Sequence, residues 1–460
     1  MESDAGRAAA RETPSLGLPE LIAIGVGGMI GGGIFSVLGM AVSIAGHAAP
    51  LAFAIGSLVA LAAGYSYVKL ALGYRKDGAS FTYLDRAFPE HPNIAGVAGW
   101  TVIVGYIGTL ALYAFTFGAY GAHLLGEQDN GALRVALSAG VLLFFMTVNL
   151  IGAELTGRTE DLIVYTKIIL LGIFVAAGLN TVSLDNLTPV LDHGVSSPFI
   201  AGALIFVAFE GFQLITNGVT ETKDPELNIP RGIYGSIVIT SLIYVGVAVV
   251  ALGNMDCARL IEAKEYALSI AAGPTLGDAG PTLVDIAALL ATSSAINATL
   301  FGASRMLAEM ATEERVPKTF SHRTRKRVPW IAVVAVTILG TAFTVLSSLE
   351  TIATFSSLTF LMVSLAVSAA NLRLREETAS KAWQILVGMA LMTATVLLLI
   401  RHLARTQPVT LLVVGALFAA IIVTEVFFFE HTVHRHRESP DQATPAAGSA
   451  ASSFNSGGPT

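Results

Sequence analysis

A single cysteine, Cys257, stands in the 460 residues. No disulfide can close within the chain, and no Cys-x-x-Cys metal or redox pair exists. Charge is scarce as well: Asp, Glu, Lys and Arg make up 13% of the residues, against roughly 25% in a soluble globular chain. The formal net charge of −6 is mild and says little about partners, and no nucleic-acid partner is expected. The basic stretch HRTRKRVP (322–329) lies between two apolar segments and reads as a topology signal facing anionic lipid. No His-Glu-x-x-His occurs, and His431, His434 and His436 open a polar tail. Neither a metal site nor a cofactor is expected, and no nucleophile and base pair up in a way that suggests an enzyme. Segments of about ten residues with alternating polarity are lacking too, which argues against a membrane barrel.

What is abundant is apolar sequence: 53% of the residues are hydrophobic, with a mean hydropathy of +0.68. A bilayer-spanning helix needs about 20 apolar residues. Such runs recur at 18–45, 50–73, 93–124, 132–151, 160–179, 198–220, 230–253, 281–311, 329–348, 351–371, 381–402 and 407–430. The pattern predicts an all-α integral membrane protein of twelve transmembrane helices, with one membrane domain over 18–430 and no separate soluble module. Lys and Arg set the orientation. One side of the predicted topology holds only Arg134, Arg259, Lys264, Arg401 and Arg405, and the remaining loop and tail cations lie on the other. The positive-inside rule therefore predicts that both termini are cytoplasmic in a multi-pass plasma-membrane protein. The tail at 1–17 is polar and does not read as a cleavable signal. The tail at 431–460 is rich in small residues and proline beyond 438 and is expected to be disordered. The external connection 256–273 has helical spacing and reads either as a short amphipathic helix or as a plain surface loop.

Two spans are interrupted. Residues 25–33 read GVGGMIGGG, and each glycine weakens a helix by roughly 1 kcal/mol relative to alanine. The sixth span, IAGALIFVAFEGFQLITNGV (200–219), carries Glu210 beside Gly211 near its centre, where a carboxylate is costly. Corresponding interruptions five spans apart point to inverted repeats whose broken helices meet at the bilayer midplane. The repeats are placed at about 18–180 and 198–372, with two added helices at about 380–430. If span one unwinds, amide groups at the start of its second half and the helix dipole there suit a carboxylate. Gly-x-x-x-Gly spacing at 27/31 and 28/32 leaves a second reading, tight helix packing. In span six the carbonyls around 207–212 suit an ammonium group. Phe206, Phe209 and Phe212 either close over a ligand or face lipid or core. Glu210 is structural if protonated and contacts a cation or moves a proton if ionised. The candidate ligand-binding residues are thus Ile30, Gly31, Gly32 and Gly33 in the first break, Phe206, Val207, Ala208, Phe209, Glu210 and Gly211 in the second, and the Tyr106 hydroxyl. Asn297 reads as an interhelical hydrogen-bonding residue.

Four stretches carry a family resemblance. GGMIGGGIF (27–35) resembles the helix 1 signature of the amino acid–polyamine–organocation superfamily of permeases. DGASFTYLDRAFP (77–89) is similar to that family's loop between helices 2 and 3, ETKDPELNIPRGI (221–233) to its segment after helix 6, and NATLFGASRMLAEMA (297–311) to its helix 8. The resemblance covers nearly the whole membrane region. It implies a LeuT-like fold of 5+5 inverted repeats with helices 1 and 6 broken, and secondary active transport of an amino acid or related amine by alternating access. In this chain Gly32 occupies a position where relatives often carry Ser or Thr, and Glu210 one where an apolar residue is common. The resemblance to proton-coupled members also implies a role for Lys167. It sits about ten residues, roughly 15 Å, from the polar start of its helix, where an unpaired ammonium is costly. Either it snorkels to the surface, or it stands in for a sodium ion against helix 1 and the helix 8 surface at Ser293 and Ser294, with a proton as the coupling ion. The expected function is proton-coupled amino acid symport, with amino acid/polyamine exchange, cationic uptake and amino acid sensing as alternatives.

Overall fold

The computed structural model describes residues 16–75, 79–90, 92–152, 157–312 and 316–438. Among these residues no strand forms, only an isolated bridge between Leu16 and Thr222. The α-helices in chain order are α1 (Leu18–Met29), α2 (Gly33–Ala45), α3 (Ala49–Tyr74), α4 (Ala79–Ala87), α5 (Pro92–Leu124), α6 (Gly131–Ile151), α7 (Gly157–Leu179) and α8 (Ser197–Leu204). Then follow α9 (Pro225–Asn254), α10 (Cys257–Ala263), α11 (Ala267–Leu276), α12 (Gly280–Thr312), α13 (Trp330–Leu346), α14 (Leu349–Arg373), α15 (Ala382–Thr406) and α16 (Pro408–Glu438). Two 3₁₀ segments, Ile205–Phe209 and Phe212–Glu221, separate α8 from α9.

Among the described residues, nine helical stretches are long and apolar enough to cross a membrane, and one of them, Gly33–Tyr74, runs through the turn between α2 and α3. Shorter apolar helices occupy Leu18–Met29, Trp330–Leu346 and Pro408–Val423. Their outward faces are apolar: Leu143, Phe144, Ile169, Leu242, Leu346 and Leu412 are each more than half exposed. A water-facing surface of this kind would be untenable, so the chain is an integral membrane protein.

α5 is the central post. It packs on α12, α14, α6 and α13, while α9 packs on α1, α3 and α7. Helix ends fall where the local chemistry puts them. Asn130 caps α6 by accepting the Leu133 N–H at 3.0 Å, and Ser348 caps α14 by accepting from Thr351 at 3.2 Å. Gly152 ends α6 with φ of 75°, a left-handed conformation that suits glycine.

Several boundaries depart from expectation. The segment read as a loop at 77–89 holds α4, packed on α5 and α14. The span expected from 230 begins at Pro225, because proline at the first helical position loses no hydrogen bond. The connection at 256–273 forms not one helix but two, α10 and α11, divided at Lys264 with φ of 38°; both pack on α2. The final helix continues past 430 to Glu438, so the tail expected to be disordered from 431 begins in helix. The rest of that tail and residues 1–15 lie outside the described residues. At the chain's start, Leu16 is not loose but paired with the end of the second 3₁₀ segment. It donates to Glu221 O at 3.1 Å and accepts from Lys223 N at 2.8 Å.

Candidate functional site at two facing helix breaks

The glycine cluster interrupts the helix as its composition predicts. α1 stops at Met29, α2 starts at Gly33, and Ile30–Gly32 form the link. A helix end leaves its last carbonyls without intrahelical donors. Here Val26 O accepts from Ile30 N at 2.8 Å, Gly27 O accepts from Lys167 Nζ at 2.9 Å, and Met29 O accepts from Tyr244 Oη at 2.7 Å. The Lys167 side chain, 2% exposed, thus turns inward from α7 rather than snorkelling to the surface. Beside it, a Cβ on Gly27 would come within 2.8 Å of Val164 Cγ2, so α7 sits close against the α1 backbone.

The second break is longer and is not simply two α-helical halves. α8 ends at Leu204, the first 3₁₀ segment carries the chain to Phe209, Glu210 is extended, and Gly211 takes φ of 153° before the second 3₁₀ segment. Ser357 of α14 bridges its start, donating to Leu204 O at 2.5 Å and accepting from Val207 N at 2.9 Å. The Tyr244 hydroxyl also lies 3.0 Å from Ala208 O. One phenolic proton therefore serves carbonyls from both breaks, and the ring is held edge-on by Phe53 and Phe209. The two breaks touch directly, because a Cβ on Gly211 would fall 2.5 Å from both Gly28 C and Met29 N.

Below this contact lies a cavity of about 700 Å³. Its closed end includes Gly27, Gly28, Glu210, Gly211 and Gln213; its walls include Tyr67, Tyr106, Tyr113 and Ser294; its mouth is marked by Glu221, Arg305 and Glu309. None of the lining comes from α2, α10 or α11. On that side α2 is buried from Gly33 through Val42. Ser36 hydrogen-bonds Thr116, and the Tyr120 hydroxyl donates to Phe35 O at 2.9 Å. The loop after α7 is fastened there too, with His47 Nδ1 2.6 Å from Asp192 Oδ2. The chamber is open to one side and closed on the other.

Of the residues singled out from sequence, Tyr106, Glu210, Gly211 and Ser294 line this cavity. Ile30, Gly31, Gly32 and Gly33 do not; they are packed above it, where a Cβ on Gly32 would meet Tyr113 Cδ1 at 2.6 Å and one on Gly33 would meet Ala208 Cα at 2.9 Å. Phe206, Val207, Ala208 and Phe209 are likewise buried, each at 2% exposure or less. Ser293 is half-buried outside the lining. Asn297 pairs with Asn149 at 3.0 Å across α12 and α6, the interhelical bond expected of it. Sequence reading missed Tyr113, Gln213 and Tyr244. A tyrosine hydroxyl inside a largely apolar run is the signal that Tyr244 offers, but its two partners lie 36 and 215 residues away.

The Tyr244→Phe variant isolates that hydroxyl. Two buried carbonyls then share no donor, at roughly 1–3 kcal/mol for an unsatisfied buried group. The melting temperature of the purified protein is expected to drop by several degrees, with Tyr165→Phe, on the exposed face of α7, unchanged. Equal melting temperatures for the two variants would remove Tyr244 as the link between the breaks.

The sequence profile of a family described as amino acid permease matches residues 16–439. The inner membrane transport protein YbaT of Escherichia coli is 31% identical over 91% of this chain and 97% of its own length. The branched-chain amino acid permease BcaP of Bacillus subtilis is 25% identical over 76% of this chain and 80% of its own. The serine/threonine exchanger SteT, also of Bacillus subtilis, is 25% identical over 69% and 73%.

Proposed function

We propose, given that the chain belongs to the amino acid permease family, that it is a secondary active transporter carrying amino acids across the plasma membrane by alternating access, coupled to protons through Lys167. The observation that carries the reading is the meeting of the two breaks, Gly28 against Gly211, with a buried ammonium on the Gly27 carbonyl and a one-sided cavity at their feet.

The twelve spans form two inverted repeats of five, α1/α2 to α7 and α8 to α14, with α15 and α16 added. Helix pairing supports this, since exchanging each span for the one five later maps observed contacts onto observed contacts. α1 on α9 corresponds to α8 on α3, α5 on α14 to α12 on α7, α1 on α7 to the second break on α14, and α5 on α6 to α12 on α13. With both termini cytoplasmic, the cavity faces the cytoplasm and the side closed by α2, α10 and α11 faces outward.

The substrate carboxylate is received by the amide groups of Gly31–Gly33 at the start of α2, where the helix dipole favours an anion. Tyr113 covers Gly31 and Gly32 in this state, so its displacement uncovers them as the carrier turns over. Lys167 protonated holds α1 to α7 through Gly27; its deprotonation releases that contact and lets α1 move. A proton exchanged at Lys167 thereby biases which side is open.

Exchange of one amino acid for another is the second reading, favoured by the likeness to SteT. Proteoliposomes separate the two. Symport predicts accumulation of labelled amino acid into empty vesicles under an inward proton gradient and none under a sodium-only gradient. Uptake that requires preloaded amino acid assigns exchange, and uptake driven by sodium alone refutes proton coupling.

A further inference from the structure

The charge lining the cavity is unbalanced: Glu210, Glu221 and Glu309 face it against Arg305, whose guanidinium lies over the Phe301 ring. Glu221 and Glu309 are exposed at the mouth, where two like charges draw cations toward the opening. Glu210 is different. It sits at the closed end, 5% exposed, and its carboxylate is held in one orientation. Gln213 Nε2 donates to Glu210 Oε2, while Gln213 Oε1 accepts the Gly211 N–H at 3.0 Å. The other oxygen, Oε1, is buried and has no hydrogen-bond partner among the described residues. A buried carboxylate oxygen in that state is costly until something donates to it.

Three carbonyls at the breaks already have donors. Gly27 O holds Lys167, and Met29 O and Ala208 O share Tyr244. The aromatic rings of Tyr67, Tyr106 and Tyr113 line the same chamber and suit both the alkyl stem and the charge of an organic cation. Lys167 is not among the lining residues, so its charge does not front the space that a ligand fills. An apolar amino acid side chain would leave Glu210 desolvated and unpaired, whereas a second ammonium pairs it.

We infer that Glu210, oriented by Gln213, receives an ammonium group of a ligand with net positive charge, so that the substrate class is amines such as cationic amino acids and short diamines. This rests on the cavity being the substrate site of the proposed transporter.

The test uses full-length protein and three probes: L-lysine, L-norleucine, which has the same carbon chain without the terminal ammonium, and putrescine. Their affinities are read from melting-temperature titrations and from competition in proteoliposomes. Lysine or putrescine is expected to bind about tenfold or more tightly than norleucine, with lysine against putrescine deciding between cationic amino acids and diamines. Glu210→Gln is expected to weaken amine binding by roughly 10- to 100-fold, the range for losing a charged hydrogen bond, and to leave norleucine within about threefold. Gln213→Leu, which keeps the carboxylate but removes its clamp, gives an intermediate loss and serves alone if Glu210→Gln does not fold. Norleucine binding as tightly as both lysine and putrescine, or the affinity of the tighter amine untouched in folded Glu210→Gln or Gln213→Leu protein, overturns the inference. If neutral amino acids are bound and moved and cationic ones are not, only the assignment of Glu210 falls. If no amino acid or amine binds at all, the proposed function falls with it.

Discussion

Gly211→Ala is expected to abolish transport and to lower the melting temperature of the protein by several degrees. Two effects act together. The φ of 153° belongs to a region that side chains avoid at a cost of about 1–3 kcal/mol. The new Cβ also meets backbone, 2.5 Å from Gly28 C and Met29 N, and backbone cannot rotate aside as a flexible side chain does. The breaks must separate, which pulls Met29 O and Ala208 O away from the single phenol they share. The measurement is paired uptake and thermal melting of purified protein. Gly172→Ala is the control: its Cβ meets nothing within 4 Å, and alanine in a helix gains about 1 kcal/mol over glycine, so that variant should transport normally and melt no lower than the parent. Full activity in Gly211→Ala would show that the contact between the breaks is not needed for the transport cycle.

The second large effect is expected at Lys167. In Lys167→Ala, Gly27 O loses its 2.9 Å donor, and the helix α7 loses its polar hold on α1. Proton-driven accumulation should fall by about tenfold or more, the equivalent of one charge-assisted hydrogen bond. Equilibrating counterflow, which needs the cavity and the moving breaks but no net proton, should survive at a measurable rate. That split separates coupling from mere structure. A variant that lost both processes together while remaining folded would make Lys167 a structural residue, and one that kept its full response to an imposed pH gradient would place the coupling proton elsewhere.

The legible parts of this site are those that local chemistry dictates. The glycine cluster at 25–33 is a poor helix in any surroundings, and α1 does end at Met29. Lys167, deep in an apolar run, had to find an acceptor, and the helix break supplied one in Gly27 O. Glu210 beside Gly211 marked the second break for the same reason. What went unseen is what depends on partners far along the chain. Nothing in the run around Tyr244 announces that its hydroxyl meets Met29 and Ala208, or that Gln213 fixes one carboxylate oxygen and leaves the other open to a cavity. The placement of Ile30–Gly33 and Phe206–Phe209 above the chamber, with Gly27, Gly28 and Gln213 at its closed end, is likewise set by how α5, α9 and α14 close around the breaks.

The sequence by itself determined that this chain lives in a membrane, where it is broken, and which buried charges need partners. Hydropathy, glycine content and the cost of desolvating an ion act over a few residues and need no fold to be read. Only the tertiary structure decided which side of the breaks is open and which donors cap their carbonyls. Those outcomes depend on helices hundreds of residues apart arriving within hydrogen-bonding distance, and a bond of 3 Å is settled by packing geometry that no local pattern encodes.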